Sequence, residues 1–342
     1  MKTKVVLFPK LINLIIITFG FSIFYLIILN ASHDIPQYKI LLRWIKDFQL
    51  LGFSFNEVYE NPDIRTEYGS FIIFWYLAKA FSIVDILVIV TFTTLFVKYL
   101  LFKKYFDNYN IAFIFYILCF GFVWDGNQIR VAIALCFIIY LFLSNPSIVR
   151  GLFLILISTL FHLSSIFFLV SYSHIILAKI FYNNVLFYVF SIMIAVILIY
   201  MIKLTVINYG YFNYYMGSPS YRLNVISGLT LLHLCIIGCF IFNYKFLTLI
   251  QKQSLTVLIV GLLFFIIFID YDLVSSRMRE LSFVSLIPLY FSKDIIKNRF
   301  FNLARLLLFI FFISRLYELQ YYLFVNPLPG LYYENYMDYL NS

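Results

Sequence analysis

Apolar residues in this chain run almost unbroken over stretches of helix length, and polar residues gather in short interruptions between them. Continuous runs without period-two alternation predict membrane helices and exclude a β-barrel. The first run, Leu11 to Leu29, follows Lys2, Lys4 and Lys10; it is too long for an ordinary signal peptide and predicts a retained span with a cytoplasmic N-terminus. The polar stretch from Asn30 to Tyr68 is expected outside. Ser70 to Phe81 is too short to cross, and Phe71, Phe74, Leu77, Ala78 and Phe81 keep helical spacing while Lys79 faces the other way, the pattern of an interfacial helix.

Further segments are expected from Ile83 to Leu101, Ile111 to Trp124, Val131 to Leu143, Val185 to Met201, Leu223 to Phe242, Leu255 to Ile269, Leu281 to Ser292 and Leu303 to Phe324. Between Arg150 and Lys179 there is too little chain for two crossings at about 20 residues each, which predicts a shortened or re-entrant hairpin with Phe161-His162-Leu163-Ser164 near its tip. The fold class is therefore all-α: one polytopic membrane-embedded domain over 1–342 with about ten membrane segments. External loops are expected near 30–69 and 203–222, with an external C-terminal tail at 326–342. Lys98, Lys103 and Lys104 would mark a cytoplasmic helix end.

Composition agrees with this pattern. The 342 residues are 63% hydrophobic and 12% charged, with a mean hydropathy of +0.95, which excludes a soluble domain of about 25% charged residues. A net charge of +9 would suggest nucleic acid in a soluble protein, but here the basic residues lie at segment ends and orient the chain in the bilayer, so no nucleic-acid partner is expected. Cys119, Cys136, Cys235 and Cys239 all fall inside apolar runs, and neither a disulfide framework nor a zinc spacing follows from them.

Charge type changes the picture further. The expected topology puts most lysines inside, as orientation requires, and most arginines outside, where arginine suits bidentate capture of phosphate. The interruption from Phe122 to Ala134 holds Asp125, Gly126, Asn127, Gln128 and Arg130, with Asn127 one turn before Arg130 on the same face. Arg279 stands above a run of about 21 Å of helix to Lys293, short of the roughly 30 Å of hydrocarbon, so Arg277 and Arg279 are expected to be recessed below the outer surface. Arg315 lies deeper still. Local ion pairs with Glu280 and Glu318 are the competing explanation for Arg277 and Arg315. His162 sits in an apolar run beside Ser164 and Ser165, and Glu67 opens the interfacial helix. Asp270 and Asp272 have the spacing of a metal-binding carboxylate pair, a motif that is also common at helix ends. The tyrosines of the second loop suit an aromatic belt.

The run Asn127-Gln128-Ile129-Arg130-Val131-Ala132-Ile133-Ala134, followed by Ser158-Thr159-Leu160-Phe161-His162-Leu163-Ser164-Ser165, resembles the EpsG/Wzy-like family of bacterial polysaccharide polymerases. Val131 and Ala132 stand where the family usually has Gln and Gly. Asp34 with Tyr38, Glu67-Tyr68-Gly69, and Ser276-Arg277 fit the same resemblance. It implies a plasma-membrane glycosyltransferase that joins undecaprenyl-diphosphate-linked oligosaccharide repeat units on the outer face, for O-antigen, capsule or exopolysaccharide, and releases undecaprenyl diphosphate. A flippase and a chain-length regulator of the same pathway are the implied protein partners. On this reading Arg130, Arg277 and Arg279 neutralise the diphosphate without a metal or other cofactor, and Asn127, Gln128, Arg315 and Tyr38 contact substrate. The general base stays open among His162, Asp34, Glu67 and Asp125, with His162 preferred. Two other readings compete: a polyprenyl-phosphate-sugar glycosyltransferase using Asp270 and Asp272, and a lipid-linked oligosaccharide flippase, for which an internal repeat would be expected.

Overall fold

Helices start where short polar side chains can satisfy the free amides of a first turn. At Ser82 the hydroxyl accepts from Asp85 N at 3.2 Å while the Asp85 carboxylate accepts from Ser82 N at 3.3 Å; Ser54 with Glu57 and Thr248 with Gln251 build the same reciprocal cap. A computed structural model describes residues 13, 15–24, 35–61, 66–126, 128–180, 185–208, 227–292 and 299–320. Among them there is no strand.

In chain order the helices are α1 (Ile15–Phe24), α2 (Ile35–Leu50), α3 (Phe55–Tyr59), α4 (Tyr68–Ala78), α5 (Ile83–Tyr105) and α6 (Tyr109–Tyr116). A π turn (Ile117–Gly121) carries α6 into α7 (Phe122–Trp124). Then come α8 (Ile129–Ser144), α9 (Ile148–Phe161), a 3-10 turn (Leu163–Ile166), α10 (Phe167–Ile180), α11 (Val185–Asn208) and α12 (Gly228–Phe242). The last are α13 (Leu249–Ile267), α14 (Asp272–Phe283), α15 (Leu286–Phe291) and α16 (Arg299–Gln320).

Helix α13 is the hub, packed against α8, α10, α11, α12, α14 and α15. Its tightest partner is α14, and Gly261 is the reason: a Cβ there would lie 2.1 Å from Ser282 Cβ. Facing outward, the bundle presents Phe92, Phe96 and Leu100 on α5, Phe153, Leu156 and Leu160 on α9, and Leu306, Phe309, Ile310 and Ile313 on α16. A surface this apolar is matched to lipid, because in water it would be an aggregation site.

Among the described residues, two helices, Ile83–Tyr105 and Leu249–Ile267, are long and apolar enough to cross a bilayer. Shorter apolar helices surround them, among them Tyr68–Ala78, Ile129–Ser144, Ile148–Phe161 and Gly228–Phe242. The 16 residues of α8 and the 14 of α9 give about 24 and 21 Å, less than the roughly 30 Å of hydrocarbon. Helices α9 and α10 form an antiparallel pair, with Tyr172 OH donating to Ser147 O at 3.4 Å and Gly151 leaving room for that ring. His162 lies at the break between them.

One expectation needs correction and two gain detail. Lys98 is not at a helix end but in the interior of α5 with no exposure. The polar stretch expected outside holds α2 and α3, and in α2, Ile35, Tyr38, Leu42 and Ile45 form a buried stripe that its charges mask in a simple polarity count. Lys203, expected at the start of the second loop, belongs to α11, which runs on to Asn208, and donates to the Ile267 carbonyl at 2.7 Å. The rest of that loop beyond Asn208 and the tail at 326–342 lie outside the described residues.

Candidate active site

Glu67 precedes α4 and His162 follows α9, and both positions are fixed by how those helices meet. Gly69 lets them touch: a Cβ there would sit 2.9 Å from the Leu160 carbonyl oxygen. Beside it, Ser70 Oγ donates to the Phe161 carbonyl at 3.1 Å. Helix α9 is seated on α8 in turn, by Ser158 Oγ donating to Ala134 O at 3.2 Å and by Phe137 stacking on Phe161 with centroids 5.6 Å apart. Residues from α2, α4, α8 and the α9 break therefore converge.

At the centre of the convergence is the Glu67 carboxylate. One oxygen, Oε2, is ion-paired to Arg130 Nη1. The other, Oε1, accepts from His162 Nδ1 at 3.2 Å and from Leu163 N at 3.4 Å. Arg130 Nε donates to Tyr38 OH at 3.2 Å, and the guanidinium carbon lies 5.8 Å from the centre of the Tyr38 ring. Among the described residues, Arg130 Nη2 makes no hydrogen bond within the protein. The cluster is only partly covered: the Arg130 side chain is 27% exposed and that of Glu67 20%.

Electrostatics fix the protonation states. Burial works to raise the Glu67 carboxyl, but the hydrogen bond from His162 and the charge of Arg130 prevail and hold it at about 2. His162 is pushed the other way: burial lowers it, the Glu67 contacts pull it up, and the charges of Arg130 and Arg277 lower it further, for a net downward shift. An ionised carboxylate can only accept, so Nδ1 carries the hydrogen and a neutral His162 keeps its lone pair on Nε2. Arrangements of this kind, a carboxylate orienting an imidazole, suit proton abstraction from a hydroxyl.

The C-terminal arginines divide between the two faces of α14, since residues two apart on a helix point nearly opposite ways. Arg277 faces the His162 side, near enough for its charge to act on the imidazole. It is half-buried, and among the described residues it has no carboxylate partner: Glu280, expected beside it, reaches Arg315 instead, at 3.8 Å. Arg279 is buried, stacks 4.2 Å from the centre of Phe265 and donates to Thr230 Oγ1 at 3.2 Å. Arg315 is also buried, over Phe311 at 5.4 Å. These two lie in the interior.

The remaining predicted residues are placed as follows. Asp125 is 0% exposed and paired with Lys98 at 2.6 Å, which corrects the expectation of an exposed base: both carboxylate oxygens are already engaged by protein donors. Gln128 precedes α8, half-buried and without a side-chain cap bond. Asp34 and Asn127 lie outside the described residues, as does the Asp272 side chain. Asp270 pairs with Lys203 at 3.3 Å. Sequence reasoning missed the buried partners Lys98, Thr94 and Tyr116; the stripe Thr91, Thr94, Lys98 at spacings of three and four was the available signal.

No curated protein and no solved structure gives a match. The EpsG family profile matches residues 12–340, nearly the whole chain, and the positions at Glu67, Arg130 and His162 all fall within it. This membrane-embedded helical bundle belongs to the EpsG family.

Proposed function

We propose that the protein polymerises polysaccharide from lipid-linked oligosaccharides, joining undecaprenyl-diphosphate-linked repeat units at the outer face of the plasma membrane. The observation that carries this reading is Glu67 bridging Arg130 and His162, which puts a general base beside an anion site. Family membership supports a polymerase acting on a lipid-linked sugar.

His162 Nε2 takes the proton from the acceptor sugar hydroxyl. The oxygen attacks the anomeric carbon of the growing chain, and the bond from that carbon to the diphosphate breaks, with the electron pair leaving on phosphate. Arg130 and Arg277 neutralise the departing undecaprenyl diphosphate, and preorganised donors of this kind need no rearrangement in the transition state. Glu67 stays ionised, holds the imidazole tautomer and stabilises the imidazolium as it forms. Tyr38 keeps the Arg130 fork in place. The short helices support a recessed site, where the sugar diphosphate meets its partners while the polyprenyl tail remains in lipid.

The test is reconstitution in nanodiscs with undecaprenyl-diphosphate repeat units from the host and products resolved by size. A ladder should form without nucleotide sugar or added metal, and His162→Ala and Arg130→Ala should abolish it at normal expression. Absence of a ladder, with authentic host membranes active in parallel, overturns the reading. So does full activity in both variants.

A further inference from the structure

Apart from the Glu67 cluster the bundle holds a second charged group that the proposed chemistry does not use. Lys98, well inside α5, and Asp125, just after α7, are both 0% exposed. Lys98 Nζ donates to Asp125 Oδ1 at 2.6 Å, Thr94 Oγ1 to the same oxygen at 2.7 Å, and Tyr116 OH to Oδ2 at 2.5 Å. Thr91 Oγ1 donates to the Asp125 carbonyl at 3.2 Å. One stripe of α5 thus grips both the side chain and the backbone of a single residue.

A buried ion pair contributes little net stability compared with apolar side chains of similar volume, while removing one partner leaves a bare charge at high cost. Stability alone is therefore a poor reason for this group. What it does hold is the turn into α8. Gly126 N donates to Gly121 O at 2.8 Å and Gln128 N to Val123 O at 3.2 Å, and α8 then begins with Ile129, fully buried. Arg130 is the next residue, five positions after Asp125. The anion-binding guanidinium is carried on the far side of a turn whose near side is clamped to α5.

We propose that Lys98, Asp125 and Tyr116 are positioning residues that set the register of the turn and so hold Arg130 in its working orientation; this rests on the polymerase reading above. The coupling runs through the backbone. It predicts that the clamp matters only as long as Arg130 has a defined geometry to lose.

The experiment is a double-mutant cycle in polymerisation rate, combining the clamp with Arg130→Lys. The clamp is removed by Lys98→Met with Asp125→Leu, which leaves no unpaired buried charge, and in a second series by Tyr116→Phe, which deletes one hydrogen bond and keeps the ring. The expected result is a fall in kcat of about tenfold or more for the double replacement and about threefold for Tyr116→Phe, each shrinking to less than twofold when Arg130→Lys is already present, as for groups acting through one residue. Wild-type kcat in either folded clamp variant overturns the proposal. Equal losses with and without Arg130→Lys overturn it too, because a general structural role is additive. If the double replacement does not fold, the Tyr116→Phe cycle decides alone. An Arg130→Lys protein of undiminished rate sinks the polymerase site together with this proposal, whereas the other failures sink only the clamp.

Discussion

Replacing Glu67 with Gln removes one charge, keeps the shape of the side chain, and strips Arg130 of its counter-ion and His162 of its orienting acceptor. The carboxyl sits at about 2 against an ordinary value of 4.5, a gap of about 2.5 pH units. At about 1.4 kcal/mol per unit this corresponds to up to about 3 kcal/mol of stability that depends on the ionised form. The sign follows from the downward shift: the contribution is complete above the unfolded value and disappears as pH falls through the folded one. Near pH 7 the variant should therefore be less stable by up to about 3 kcal/mol, and near pH 3 by only about 1 kcal/mol, because wild type has by then lost most of the benefit. Apparent Tm of the two proteins in matched nanodiscs, scanned across that range, reads this directly. A difference in Tm that stays constant from neutral to acid pH would refute the electrostatic account of Glu67, whatever the size of the difference.

Polymerisation catalysed by neutral His162 should hold its rate as pH falls to the ordinary histidine range, with the acid limb of the kcat/KM profile below about 6.5 because burial keeps the imidazole unprotonated. A limb above that range contradicts His162 as the base. Arg277→Ala should lower kcat/KM about tenfold or more, in line with loss of a charge-assisted contact of about 1.5–3 kcal/mol, and Arg277→Lys should recover part of it. Steady-state rates with purified lipid-linked repeat units check this. Gly69→Ala should destabilise by about 1–3 kcal/mol and reduce activity, since the added methyl meets the Leu160 carbonyl and separates Glu67 from His162. Thermal unfolding and rate should fall together.

Residues selected from local chemistry and from the family resemblance share one cluster, although Tyr38 and Arg130 are 92 positions apart and Glu67 and His162 are 95. Arg130 and His162 were legible because a charge or imidazole inside an apolar run costs too much to be there without a partner or a task, whereas Glu67 was read from its place at the start of a helix and Tyr38 from the resemblance alone. Their contact was not legible: it depends on Gly69 and Ser70 bringing α4 onto α9, and a small residue in a helix says nothing about which neighbour it admits. Asp125 shows the opposite case. It stands in the same polar interruption as Arg130, and only the partner 27 positions earlier, a lysine that reads as a helix-end charge, reveals that it faces inward. In sequence Arg277 has a carboxylate at Glu280 one turn on and Arg279 has none, so Arg279 read as the better phosphate ligand; helical rotation instead makes Arg277 the half-buried cation and Arg279 an aromatic-stacked residue of the core. Helix α2 was hidden by its charges, because a solvated face and a loop have the same composition until the apolar stripe is counted separately.

The π turn at Ile117–Gly121 gives the bundle one residue of tolerance in chain length. A π turn takes up one residue more than the α-helix around it, so the helix on either side keeps its phase. Deleting a single residue there would let an ordinary helix form while Asp125 still meets Lys98. A further insertion has no such reserve: left as regular helix it would rotate all that follows by about 100° and swing Asp125 away from Lys98, in a chain of nearly the same composition and hydropathy. The frame of this bundle is thus kept by a count, with the spare residue held in the π turn.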